Sequence, residues 1–249
     1  MSFTLHLGDC LDPVTGLASL ADKSVDHVIT DPPYEAEAHT KARRTTSSKW
    51  RSTNEHGKAV EEYEIDFVPI TETERSAACF QMARVSRGWI ATFCQVEAVD
   101  RWRSAMLAAG ASWRRACAWV KPDGTPQLTG DRPAQGFECI ATAWAGVGKS
   151  RWFAGGKRGV YTFCVNDFGR IDRPHPTTKP IDLMISLVRD FTAPGDTILD
   201  PFAGSGTTGV AAIRLGRNFI GWERDPKYHA IALKRLQAAR EQLTIPGAA

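Results

Sequence analysis

The 249-residue sequence has no apolar run approaching the ~20 residues that a membrane-spanning helix requires, so no membrane role is implied. It also lacks any Cys-x-x-Cys spacing. Its six cysteines (Cys10, Cys79, Cys94, Cys117, Cys139 and Cys164) lie far apart, mostly in apolar or strand-like surroundings, and are expected to be buried reduced thiols. None of the six histidines pairs with a cysteine or another histidine at ligand spacing, so no metal site is expected. Internal repeats and low-complexity tracts are absent. Residues 1–10 alternate apolar and polar side chains, with no basic patch ahead of a long apolar stretch. They read as a strand rather than a signal peptide, and a cytoplasmic location is expected.

What is present is ordinary for a globular chain: 43% hydrophobic and 24% charged residues, enough to bury a core. A single catalytic domain over residues 1–249 is expected. Net charge is only +3, but its distribution is uneven. Residues 35–60 hold six Lys/Arg against three Asp/Glu, and residues 121–170 hold seven against four, so each segment carries +3 and the remainder is acidic. Two basic segments of this kind would attract a phosphate backbone, as would any solvated basic loop.

Along the chain, Phe3–Leu7 and Val25–Thr30 read as strands, the second stopped by Asp31-Pro32-Pro33-Tyr34, where consecutive prolines cannot continue a ladder. Residues 35–70 have little apolar periodicity and are expected to form a mobile loop beside that turn. Helical spacing over Glu72–Ser86 is followed by a strand at Trp89–Cys94 and a second helix over Val96–Ala109. Ala116–Val120, Cys139–Ala143 and Val160–Val165 read as strands separated by Gly- and Pro-rich connections, a less regular region compatible with a substrate-reading insertion. The last third alternates: a helix over Pro180–Phe191, a strand at Thr197–Leu199, a helix at Thr207–Leu215, a strand at Asn218–Gly221 and a helix from Pro226. Such alternation calls for an α/β fold with a doubly wound, mostly parallel sheet.

Two motifs carry chemistry. Asp200-Pro201-Phe202-Ala203-Gly204-Ser205-Gly206-Thr207-Thr208 links a strand to a helix, the place where nucleotide-like ligands approach backbone in doubly wound folds. Gly204 and Gly206 permit positive φ and close approach, and the following helix directs amides toward an anion such as a carboxylate. Glu223, 23 residues after Asp200, is placed to accept hydrogen bonds from ribose hydroxyls. No Lys-Ser/Thr follows the second glycine, as a P-loop requires, and the dinucleotide motif's third glycine is missing.

The second motif is Asp31-Pro32-Pro33-Tyr34, whose residue types suit methyl transfer to an aromatic amine. That nitrogen is a poor nucleophile because its lone pair is delocalised into the ring. Acceptors for the amino hydrogens favour a tetrahedral nitrogen as positive charge develops. Asp31 and the Pro32 carbonyl can be those acceptors, the prolines stiffen the turn, and Tyr34 offers a ring face on which the base can stack.

These residues resemble the amino-methyltransferase family of DNA-modifying enzymes, marked by Ser/Asn/Asp-Pro-Pro-Tyr and Phe-x-Gly-x-Gly. With the catalytic tetrapeptide first and the glycine turn near the C-terminus, the order resembles the permuted β class, over nearly the whole chain. The resemblance implies a Rossmann-like fold of the S-adenosylmethionine-dependent methyltransferase type and that cofactor as methyl donor. It implies a double-stranded DNA substrate whose target base is flipped out of the helix. His175-Pro176-Thr177-Thr178-Lys179-Pro180 matches the motif preceding the glycine turn, and Leu7-Gly8-Asp9-Cys10 a strand-end acid close to the cofactor adenine. Asp9 and Lys179 therefore join Asp200, Phe202, Gly204, Gly206, Thr207, Thr208 and Glu223 as expected cofactor-binding residues. Trp119-Val120-Lys121-Pro122 resembles the family segment leading into target recognition, which implies an inserted target-recognition region over residues 121–170. Lys41, Arg43, Arg44, Lys49 and Arg51, after the catalytic turn, and Lys157 and Arg158 are the expected DNA contacts. Trp50 is placed to wedge or stack.

Asp31 favours N6 of adenine, since the branch acting on N4 of cytosine resembles Ser-Pro-Pro-Tyr more often. Methylation of cytosine by the same geometry stays open, as does a non-catalytic DNA-binding module on the same scaffold. A homodimer and a cognate restriction endonuclease are both compatible with this reading.

Overall fold

A computed structural model describes residues 1–35, 68–124, 130–165 and 178–244. Among them eight strands form one sheet: β1 (Phe3–Leu7), β2 (His27–Thr30), β3 (Trp89–Cys94), β4 (Ser112–Val120), β5 (Phe137–Trp144), β6 (Val160–Thr162), β7 (Thr197–Asp200) and β8 (Asn218–Glu223). Their order is β1-β8-β7-β2-β3-β5-β4-β6. β1, β8, β7, β2 and β3 are mutually parallel, whereas β5 runs antiparallel to both β3 and β4. Five α-helices cover the faces: α1 (Glu72–Val85), α2 (Val99–Ala108), α3 (Ile181–Phe191), α4 (Thr207–Arg214) and α5 (Pro226–Thr244).

Because both faces are covered, the central strands are apolar on both sides rather than alternating with water. All six residues of β3 are buried. Successive side chains still part to opposite layers, as strand geometry requires. Val28, Ile90 and Leu199 pack with Met82 of α1 and Trp102 and Met106 of α2. Their neighbours Ile29, Ala91 and Ile198 pack with Leu187 and Phe191 of α3, Ile213 of α4 and Leu236 of α5. Each fully buried side chain of this size contributes roughly 1.5–3 kcal/mol, so the two layers fix every strand's face.

Several elements differ from their sequence readings. Only His27–Thr30 joins the ladder as β2, while Val25 makes an isolated bridge to Ser86. The helix expected over Val96–Ala109 begins as a 3-10 turn at Val96–Ala98 before α2. The strand expected over Val160–Val165 stops at Thr162, and the Val165 amide turns to the Asp123 carboxylate at 2.6 Å instead of to a neighbouring strand. In the middle of residues 121–170, β5 is a sheet strand wedged between β3 and β4. Burying this largely apolar strand there completes the core.

The sequence order of the strands reverses between β7 and β2. From β7 the chain proceeds outward to β8, and from β2 it proceeds the other way to β3. Neighbouring parallel strands whose connections diverge leave a crevice at their C-terminal ends, where ligands bind in such sheets. The two motifs follow directly from those two ends: Asp31 after β2, and Asp200 at the end of β7.

Candidate active site

A cavity of about 550 Å³ lies in that crevice, within the usual range for small-molecule sites. Asp9, Glu223, Asp31 and Tyr34 all line it.

The glycine turn builds one half. Gly204 has φ +53°, and a methyl group on it would meet nothing nearer than the Phe202 carbonyl oxygen, at 4.0 Å. Its amide donates to Glu223 Oε2 at 2.8 Å, and the other oxygen of Glu223 accepts the Asp225 amide at 2.7 Å. Each carboxylate oxygen keeps a second lone pair for a ligand hydroxyl. Burial pushes the Glu223 carboxyl above its ordinary pKa, partly offset by these two amides. Gly206 works differently: at φ +79° it starts α4, and a Cβ there would lie 3.0 Å from that of Ala232 on α5. Its missing side chain makes room for a helix, whereas that of Gly204 leaves room in the cavity. Asp9 closes β1 and accepts the Leu11 amide at 2.8 Å, a short turn that places its carboxylate on the cavity wall.

Asp200 and Thr208 serve the scaffold. Asp200 Oδ1 accepts from Thr30 Oγ1 at 2.6 Å and from the Phe202 amide at 3.1 Å. Burial raises its pKa to about 6, against opposing hydrogen bonds from Thr208 and Thr30. Asp200, Phe202, Thr207 and Thr208 all reach the cavity lining. Thr207 and Ser205 also receive the Arg235 guanidinium of α5, which ties α5 to the start of α4.

The other half is an electrically balanced buried cluster. Lys179 Nζ donates to Asp31 Oδ2 at 2.6 Å and to the Tyr34 hydroxyl oxygen at 3.3 Å, and stands 3.4 Å from Glu138 Oε2. Tyr34 donates its hydroxyl hydrogen to Glu138 Oε2, and Lys121 Nζ donates to Glu138 Oε1. Two carboxylates and two ammonium groups thus neutralise one another, largely out of water except that the Asp31 side chain is 27% exposed. Lys179 also lies 5.2 Å from the Tyr34 ring centroid and 4.9 Å from that of Phe93.

Burial works against the Glu138 carboxylate, but Lys179 and Lys121 outweigh it and draw its pKa down to about 2. Burial likewise opposes the Lys179 charge, yet Asp31 and Glu138 hold its pKa above the ordinary value. Asp31 is pushed up by burial, with Glu138 adding and Lys179 opposing. Asp31 Oδ1 is buried and has no hydrogen-bond partner among the described residues. An acceptor kept dry and unpaired is costly unless something comes to occupy it.

The structure therefore brings Asp31, Pro32, Pro33 and Tyr34 to the same cavity as Asp9, Phe202, Gly204 and Glu223. Lys179, expected with the cofactor residues, stands instead on Asp31. Lys157 and Arg158, expected on DNA, lie away from this cavity. They precede β6, which is parallel to β4, and so lie at the sheet edge opposite the catalytic turn. There Lys157 pairs with Asp190 at the far end of α3 and covers the Tyr161 ring. Lys41, Arg43, Arg44, Lys49, Trp50, Arg51 and His175 fall outside the described residues, as does most of the expected 35–70 loop. Glu138 was missed by sequence reading. Its signal was a lone carboxylate opening an otherwise apolar run, Cys139–Trp144. Among the described residues no helix is long and apolar enough to cross a membrane.

Residues 154–234 match the N6/N4 DNA methylase family. The type II methyltransferase M.HinfI of Haemophilus influenzae is 25% identical over 254 residues, covering 94% of this chain and 68% of that protein. Two solved structures share the fold. One is the M1.HpyAVI–SAM complex, with TM-score 0.66, 24% identity and coverage of 94% and 98%. The other is the PvuII DNA methyltransferase described as cytosine-N4-specific, with TM-score 0.70, 16% identity and coverage of 98% and 93%. The chain is thus similar to DNA amino-methyltransferases over its C-terminal part, and its α/β fold is that of these solved methyltransferase structures.

Proposed function

We propose that the protein transfers a methyl group from S-adenosylmethionine to N6 of an adenine flipped out of double-stranded DNA. The observation that carries this reading is the unpaired, buried Asp31 Oδ1 beside the Tyr34 ring, in one cavity with the Gly204–Glu223 turn. The cofactor fits the residues present: the space a Gly204 side chain would fill is left open, and Glu223 and Asp9 offer acceptors for its hydroxyl and amino groups. When bound, it supplies an activated sulfonium methyl, so no covalent enzyme intermediate is needed.

The protein's own work is alignment and electrostatics. Asp31 Oδ1 and the Pro32 carbonyl accept the amino hydrogens and draw the lone pair out of conjugation, while Tyr34 stacks on the extruded base and offsets part of its unstacking cost. Lys179 holds Asp31 by its other oxygen and leaves Oδ1 for the base. Lys41, Arg43, Arg44, Lys49 and Arg51 are proposed to contact the phosphates flanking that base, with the salt sensitivity such contacts bring.

The likeness to PvuII methyltransferase supports a second reading, N4 of cytosine as target, with the same chemistry. Mass spectrometry of nucleosides from DNA incubated with the protein and methyl-labelled cofactor separates the two. Labelled N6-methyladenine is expected, whereas labelled N4-methylcytosine replaces the adenine reading. No label in any DNA, with the cofactor demonstrably bound, removes the DNA-methylation reading itself.

A further inference from the structure

Glu138 belongs to neither motif. It projects from β5, an antiparallel strand remote from both in sequence, yet its two oxygens engage three side chains of the catalytic half: Tyr34, Lys121 and Lys179. Its side chain is 11% exposed, in a layer where β5 otherwise carries only apolar or hydroxyl groups. A buried carboxylate costs stability unless what surrounds it is fully satisfied, and replacement by an apolar residue would serve the core as well or better. Among the described residues the Tyr34 phenol hydrogen bonds to no acceptor but Glu138, and an aromatic ring held at its hydroxyl cannot swing freely about its Cα–Cβ bond. Lys179 is held between Glu138 and Asp31, so the position of the ammonium, and through it the Asp31 carboxylate, depends on both acids.

We propose that Glu138, braced by Lys121, is a positioning residue of the methyl-transfer site: it fixes the Tyr34 ring on which the base stacks and, through Lys179, the Asp31 carboxylate that accepts the amino hydrogens. This rests on the methyltransferase reading for its purpose, but the geometry makes a claim that can be tested without turnover. The charged groups facing Asp31 are Lys179, Glu138 and Lys121, with Asp200 close enough to interact. Removing the Glu138 charge leaves two ammonium groups acting on Asp31. Removing the Lys121 charge leaves two carboxylates sharing one. The Asp31 titration must therefore move down in Glu138→Gln and up in Lys121→Met.

The decisive measurement is the ¹³C-carboxyl NMR titration of Asp31 in the intact wild type and in these two variants, alongside steady-state kinetics. Opposite shifts are expected, with kcat falling about tenfold or more in Glu138→Gln and the cofactor dissociation constant staying within about twofold. In a Tyr34→Phe background, the Glu138→Gln loss in kcat should shrink, since the shared hydrogen bond is already gone. Shifts in the same direction, or none, overturn the proposal, and so do fully additive kinetic losses. Should no DNA be methylated by the wild type, the functional reading fails, and the titrations still decide whether Glu138 governs Asp31.

Discussion

Thr30 Oγ1 donates a 2.6 Å hydrogen bond to Asp200 Oδ1, joining the ends of two parallel strands 170 residues apart in sequence. That bond spans the point where strand order reverses, and so it locks the catalytic turn to the cofactor turn. Its acceptor is strained electrically: Asp200 is 2% exposed, with a pKa raised from 3.8 to about 6. The fold favours the protonated form. Its contribution is therefore fully present below about pH 4 and is lost as pH rises through about 6.

Asp200→Asn, which cannot ionise, should escape that loss. The variant's urea-unfolding free energy relative to wild type should grow between about pH 4 and 6 by roughly 1–3 kcal/mol and then level off. A constant difference across that window would mean that Asp200 titrates in the fold as it does in the unfolded chain.

Lys179→Met removes the cation that Asp31 and Glu138 share, leaving two buried carboxylates with Lys121 alone. Stability at pH 8 should fall by about 3 kcal/mol, the size expected for breaking a buried pair. The deficit should narrow toward pH 5, because Asp31, already raised by burial, can then take up a proton. Methyl transfer should drop at least about a hundredfold. Chemical denaturation at both pH values, with initial rates at saturating DNA, checks this; wild-type turnover in the variant would separate Lys179 from the chemistry.

Much of the fold was legible because the sheet is covered on both faces and its strands are short apolar runs between breakers: β3 matches the sequence reading at both ends, and α1 to within a residue. The order of the motifs along the chain also carried over, since each ends a strand of the parallel sheet. What was not legible depended on pairing between distant segments. Nothing local tells β5 that it will lie between β3 and β4, or tells Lys157 that it will pair with Asp190. Glu138 likewise acquires its meaning only when an antiparallel strand carries it to Tyr34.

Glu223 uses both oxygens on backbone amides, Gly204 through one and Asp225 through the other. Glu223→Ala should therefore weaken cofactor binding by about tenfold or more, both by losing a ligand acceptor and by freeing the turn. Glu223→Gln keeps one acceptor oxygen and should fall between. Isothermal titration with the cofactor alone reads both, and an unchanged dissociation constant in the alanine variant contradicts the assigned role.

The two glycines of the turn should separate binding from folding. Gly206→Ala adds a methyl 3.0 Å from the Ala232 Cβ and 3.2 Å from its Cα, at a residue with φ +79°. The α5 backbone cannot retreat without opening the packed α4–α5 contact, so stability should fall by about 2 kcal/mol or more. Gly204→Ala carries the strain of φ +53° without a clash, for a loss of about 1 kcal/mol. Its methyl, however, enters the space left for the cofactor, and the dissociation constant should rise about tenfold in a protein that remains folded. Thermal unfolding paired with cofactor titration tests the contrast. If Gly204→Ala binds the cofactor normally, the open space beside Gly204 is not where the cofactor lies, and the ligand must approach the turn from the Asp9 side.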